Sequence, residues 1–207
     1  MTYFIKLVED ENDRRDHERL RHDVYVREKG WISNAFAPGG RESDPFDSEA
    51  TLITAYDLKG EPVGAIRLIH RPVGTTGQRL PVELDPFSRR LDGARSAVEV
   101  SRLAVAAAHR GNSLVMLGLC RMVLQEMEAA RIDDCYAIVE RPLLISLRAI
   151  GFPFRVLGEP IEHFGGLVSV VVAPVAELVP GAVKAGRFGD FFESPFNGIL
   201  GEDVIAS

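Results

Sequence analysis

Apolar runs of strand length alternate with helical stretches along this chain, and their order narrows the fold more than any other feature. Residues 3–8 (YFIKLV) read as a strand. From about Asn12 to Lys29, Leu20, Val24 and Tyr25 recur at helical spacing among charged residues, and Gly30 stops the helix. Pro38, Gly39, Gly40 and Pro45 mark 31–48 as a loop. TLITAYD (51–57) and VGAIRLIH (63–70) are two strands joined by a DLKGEP turn. AVEVSRLAV (97–105) is a third strand, reached by a long connection over 71–95. The segment 113–130 is the strongest helix, apolar on one side and polar at Arg121, Gln125 and Glu128. A strand at 135–139, a helix at about 140–150 closed by Gly151, and strands near 154–157 and 167–173 complete the pattern. The order β, α, β, β, β, α, β, α, β, β predicts an α/β (α+β) protein with a mixed central sheet flanked by helices. The expected organisation is a single domain over 1–207, with 177–207 an unassigned tail broken by Pro180, Gly181, Gly186 and Gly189.

Composition excludes several function classes. With 46% hydrophobic and 26% charged residues, neither a disordered nor a fibrous chain fits. A net charge of −6 argues against nucleic acid as a general partner, which needs a basic face. Cys120 and Cys135 lack zinc-site spacing and are expected to be buried and reduced. The N-terminal stretch has no apolar core of a secretory signal, and the run Leu167–Ala176 is too short to span a bilayer. The expectation is a cytoplasmic protein without a transmembrane segment.

Three charges sit where strands should be apolar. Glu99 and Arg102 interrupt AVEVSRLAV, and positions three apart in a regular strand face opposite sides. Either a β-bulge lies between them and lets both serve one site, or they form a buried ion pair that fixes the strand. A bulge also frees backbone N–H groups for a developing oxyanion. Arg67 interrupts VGAIRLIH and needs a carboxylate, which Glu42, Asp44 or Asp47 in RESDPFD can supply. That acidic run reads otherwise as a solvated loop, and it lacks calcium-loop spacing, so no metal site is expected. Arg21 and Tyr25, four apart, share a helical face, and Trp31 follows at the helix exit.

Taken in order, Arg21, Tyr25, Trp31, Asp44, Asp47, Arg67, Glu99 and Arg102 resemble the signature of the LuxI-type autoinducer synthases. That family carries Arg, Phe, Trp, Asp, Asp, Arg, Glu and Arg, and RHDVYVREKGW, ESDPFD and VEVSRLAV match it most closely. Tyr25 replaces the usual Phe, the loop from Trp31 to Asp44 is longer, and IHRPVGTTGQRLPVEL replaces a Leu-Pro-Thr run. This last stretch, with YAIVERPLLISLRAIGF and LGEPIEHFGG, is more similar to the long-chain N-acyl amino acid synthases. These are a sister group that includes acyltransferases associated with exosortase systems.

The resemblance implies a GNAT fold and an N-acyltransferase drawing acyl chains from the phosphopantetheine thioester of acyl carrier protein, with no bound cofactor. It implies Glu99 as general base, with Ser101 and Arg102 beside it in the catalytic set. It also implies Arg21, Tyr25, Trp31, Asp44, Asp47 and Arg67 as the acceptor-binding set. The pyrophosphate loop of coenzyme A-dependent GNAT enzymes is degenerate here, since Ser113 and Val115 replace its small residues in Arg110–Val115. Acidic carrier protein needs local basic residues, for which Arg110, Arg121, Arg148 and Arg155 are candidates. The leading acceptor is an amino acid. S-adenosylmethionine, giving an acyl-homoserine lactone, is the close alternative. A coenzyme A-dependent acetyltransferase and a non-catalytic sensing module are the remaining readings.

Overall fold

A computed structural model describes residues 1–74, 79–111, 113–163 and 165–201. Residues 75–78, Asn112, Phe164 and the tail residues 202–207, all of which entered the sequence reading, lie outside the described residues. The chain partitions into two compact units. The first comprises Met1–Leu68, Arg102–Val123 and the chain from Phe196, and the second comprises Ile69–Ser101 and Leu124–Pro195.

In the first unit β1 (Thr2–Leu7) leads into α1 (Glu11–His22). Asp10 caps α1 by accepting from the N–H groups of Asn12 and Asp13. Acidic Glu11 and Asp13 in the first turn and basic Arg19, Arg21 and His22 in the last complement the helix dipole. The helix then widens into a π-type turn over Asp23–Glu28 and ends at left-handed Gly30. β2 (Thr51–Tyr56) pairs antiparallel with β1 on one side and with β3 (Pro62–Arg71) on the other. The buried face of α1 is the predicted one: Leu20 and Val24 pack on Ala65 and Ala104, with Tyr25 against them.

In the second unit the first part of β4 (Ala97–Val105), up to Ser101, runs parallel to β5 (Asp134–Glu140) over Ala97–Val100. β5 pairs antiparallel along its length with β8 (Gly166–Pro174), and β8 also takes β6 (Arg155–Val156) and β7 (Ile161–His163). Valines 170–172 of β8 are buried, as suits a strand with neighbours on both edges. α2 (Leu114–Ala129) and α3 (Arg141–Ala149) fall where the sequence placed them. β7 was not foreseen.

The unassigned tail is mostly regular. α4 (Val175–Ala185) runs through Pro180, α5 (Gly189–Glu193) follows, and β9 (Ile199–Gly201) pairs antiparallel with β1. Burial of Leu178 and Ala182 outweighs the helix-breaking cost of Pro180. Gly181 is there for proximity: a Cβ on it would lie 2.2 Å from the carbonyl oxygen of Gly151, at the end of α3. Gly151 reciprocates, with φ of +98° and an added Cβ only 2.4 Å from the Gly181 carbonyl. Gly151→Ala is therefore expected to cost about 3 kcal/mol through backbone strain and collision. Urea unfolding checks this, and an unchanged midpoint would contradict the backbone-to-backbone contact.

Candidate active site

Six charged side chains of the first unit close into a ring. Arg21 projects from the last turn of α1, Arg67 from the middle of β3 opposite Leu52, and Arg102 from β4. The carboxylates come from the 31–48 loop. Glu42 is placed by its N–H donating to the Glu18 carbonyl at 3.1 Å. Asp44 and Asp47 orient each other through a capped turn. Asp44 accepts from the Phe46 N–H at 2.9 Å, and Asp47 accepts from the Asp44 N–H at 2.8 Å.

Each arginine binds two carboxylates and each carboxylate binds two arginines. Arg21 donates from Nε to Glu42 at 2.5 Å and from Nη1 to Asp47 at 2.8 Å. Arg67 Nη1 reaches Asp44 at 2.6 Å and Asp47 at 2.9 Å. Arg102 closes the circuit, from Nε to Glu42 at 3.2 Å and from Nη2 to Asp44 at 2.8 Å. Three positive and three negative groups cancel. Arg21, Arg67, Glu42 and Asp47 are 0–3% exposed, whereas the side chains of Arg102 and Asp44 keep 16% and 21%. The ring thus has a buried base and one open edge.

The electrostatics favour this charged state. Burial pushes the Asp47 carboxyl up, but the hydrogen bond and charge of Arg21, the charge of Arg67 and the Asp44 N–H outweigh it, so it lies well below the usual range. Burial opposes the charge on Arg21, yet Asp47 and Glu42 raise its pKa above the ordinary value. His17 is fully buried and hydrogen-bonds Thr54 at 2.9 Å. Burial and the nearby Arg21 charge push His17 down to about 3, so it adds no charge at neutral pH.

Tyr25 braces the open edge. Its hydroxyl donates to the Leu103 carbonyl at 2.8 Å, its ring lies 5.9 Å from the Arg102 guanidinium carbon, and Trp31 sits 5.5 Å from it. Burial pushes the phenol up to about 12, which keeps it a donor. β4 is irregular at Arg102, whose φ is +55°. A non-glycine residue there is uncommon and stores roughly 1–3 kcal/mol of strain. In the second unit, Glu99 is 1% exposed and accepts from the Val82 N–H at 2.8 Å, while Ser101 is partly buried.

The structure brings Arg21, Tyr25, Trp31, Asp44, Asp47, Arg67 and Arg102 of the signature together, and adds Glu42. Sequence reasoning offered Glu42 only as a partner for Arg67, whereas it bridges Arg21 and Arg102. Its single signal was proximity to the two aspartates. Among the docking candidates Arg121 needs correction: it is 5% exposed, although Gln125 is half-buried and Glu128 exposed on the same side of α2. Arg110 is exposed but bound to Glu28 at 2.7 Å, and Arg148 donates to the Phe154 carbonyl at 2.8 Å. Arg155 is exposed.

The sequence family described as N-acyl amino acid synthase FeeM matches residues 16–165, a stretch holding every member of the ring. The chain belongs to the FeeM family of N-acyl amino acid synthases. Like that family it is an acyltransferase, working with an acyl thioester donor. Among curated proteins, no sequence matches it. Its GNAT-like fold is shared with solved structures. FeeM, an N-acyl amino acid synthase from uncultured soil microbes, superposes with a TM-score of 0.70 at 18% identity, covering 88% of this chain and 95% of that one. BjaI, a coenzyme A-dependent acyl-homoserine lactone synthase solved with SAM and isopentyl-CoA, gives 0.71 at 22%, covering 99% and 97%. A structure from Lactobacillus plantarum described as an N-acetyltransferase gives 0.59 at 16%, covering 84% and 98%.

The ring's buried base generates a stability prediction for this FeeM-family chain. Asp47→Asn leaves Arg21 and Arg67 short of one negative charge and is expected to cost about 3–5 kcal/mol at pH 7. Because the folded carboxyl lies below its ordinary value of 3.8, its contribution is complete above about pH 4 and is lost as pH falls further. Urea unfolding of both proteins should therefore show a gap that narrows below about pH 4. A gap that is absent at pH 7 would contradict the ring's role.

Proposed function

We propose that this protein transfers a fatty acyl chain from the phosphopantetheine thioester of acyl carrier protein to the α-amino group of an amino acid, making an N-acyl amino acid. The observation that supports an acceptor with an α-amino acid head is the open edge of the ring. Arg102 and Asp44 present a cation and an anion 2.8 Å apart, which suits the carboxylate and ammonium of a zwitterion. The buried remainder of the ring cannot shift to suit another pattern, and Tyr25 and Trp31 flank the edge with aromatic surface. Acylation removes the ammonium charge, so the product fits the edge less well than the substrate.

In the proposed chemistry the amine nitrogen attacks the thioester carbonyl, a C–N bond forms, and the C–S bond breaks. Glu99, through a water, takes one proton from the ammonium so that the free amine can attack, and the second proton, lost from nitrogen as the amide forms, goes to the departing carrier thiolate. General base help of this kind is typically worth about 10²–10⁴-fold. Backbone N–H groups of the irregular β4 segment are the proposed oxyanion donors, each worth about 3–4 kcal/mol. Ser101 belongs to the same segment. The apolar strands β5 and β8 are proposed to receive the acyl chain, and exposed arginines, Arg155 foremost with Arg110 and Arg148, to meet the acidic carrier. Its site of action is proposed to be the cytoplasm.

S-adenosylmethionine has the same amino-acid head and fits the same edge, which makes acyl-homoserine lactone synthesis, and with it quorum signalling, the second reading. The purified protein, given a mixed-length acyl carrier protein pool and either the common amino acids or S-adenosylmethionine, is expected to yield N-acyl amino acids by mass spectrometry. An acyl-homoserine lactone would establish the second reading instead. Activity with acyl-coenzyme A alone would overturn the carrier-protein donor.

A further inference from the structure

We propose that Glu83 is a positioning residue for acyl transfer, acting through Glu99 by holding the backbone turn whose N–H grips the Glu99 carboxylate. The inference rests on the reading of Glu99 as the base. It concerns the second unit alone.

Glu99 is buried, and one of its oxygens is fixed by the Val82 N–H at 2.8 Å. A base that must accept a proton from a water needs its carboxylate held in one orientation, since a displacement of about 1 Å can cost on the order of 100-fold. The direction of the Val82 N–H is therefore part of the machinery. Val82 is the central residue of a 3₁₀ turn, Pro81–Glu83, and both Leu80 and Val82 are wholly buried. Three contacts close this turn on itself. The Leu80 N–H donates to the Glu83 carboxylate at 2.9 Å, the Glu83 N–H donates to the Leu80 carbonyl at 2.8 Å, and the Arg89 N–H donates to the Val82 carbonyl at 2.8 Å. Pro81 presets the backbone angle at the first turn position.

Glu83 is the one side chain among these contacts. Its carboxylate is in turn held by Arg71, at 3.4 Å, and Arg71 is tied to the Asp92 carbonyl at 2.9 Å. The line runs from Arg71 to Glu83, to the turn, to the Val82 N–H and to Glu99. Removing the Glu83 carboxylate leaves a buried Leu80 N–H without its acceptor and lets the turn rotate, and the first group to feel that rotation is Glu99.

The test is a double-mutant cycle on acyl transfer, using the most active acyl carrier protein–amine pair from the product screen, with folding checked by circular dichroism. Glu83→Ala is expected to lower kcat about tenfold while both KM values stay within twofold. Glu83→Gln, which keeps an acceptor for Leu80, should restore most of the rate. In a Glu99→Gln background Glu83→Ala should have no further effect on kcat. An unchanged kcat in Glu83→Ala, an equal loss in the Glu99→Gln background, or an unfolded Glu83→Ala would each overturn the positioning role. A slow Glu99→Gln beside a wild-type Glu83→Ala defeats this inference alone. A Glu99→Gln enzyme at full rate defeats the assignment of the base, and this inference with it.

Discussion

A closed circuit of three arginines and three carboxylates organises the first unit. Ion pairs taken from water recover their desolvation only when every charge is matched and every donor placed. Here Arg21, Arg67 and Arg102 each find two carboxylates, and Glu42, Asp44 and Asp47 each find two arginines. The circuit ties α1, the 31–48 loop, β3 and β4 to a single point. It also explains how the loop, built only of short 3₁₀ turns, holds its shape: its capped turn at Asp44–Asp47 is locked to the strands through the side chains that cap it.

The same circuit accounts for the unusual backbone of β4. Arg102 adopts a left-handed conformation that a side chain of its size avoids, and the cost is offset by two charged hydrogen bonds and the contact with Tyr25. Pairing of β4 with β5 covers only Ala97–Val100, and the irregular residues begin just beyond it. Tyr25, in place of the Phe usual in LuxI-type synthases, adds a hydroxyl that grips the Leu103 carbonyl on the far side of the kink.

The charges inside the strands were legible because they break a pattern. Arg67, Glu99 and Arg102 stand where a buried strand should be apolar, and that misfit implied a carboxylate partner for Arg67 and either an ion pair or a β-bulge at Glu99 and Arg102. Glu42 was not singled out, because its link to Arg21 and Arg102 joins residues 21 and 60 positions apart and depends on the loop's path. The C-terminal segment was illegible for another reason. Pro180, Gly181 and Gly186 read as punctuation, yet Gly181 sits inside a helix because its backbone approaches Gly151 too closely for a side chain. Arg121 misled because helical periodicity assigns it to the polar side of α2 and says nothing about whether that individual side chain is covered, as Arg121 is and Glu128 is not.

The central claim is that the open edge of the ring binds the acceptor and thereby governs acyl transfer. The most direct measurement is kcat/KM for the amine in Arg102→Gly. Glycine adopts a φ of +55° without strain, so the β4 kink is kept while the guanidinium is removed. A folded variant slowed by at least about 100-fold is the result this account predicts. A folded variant that transfers acyl chains at close to the wild-type rate would contradict it.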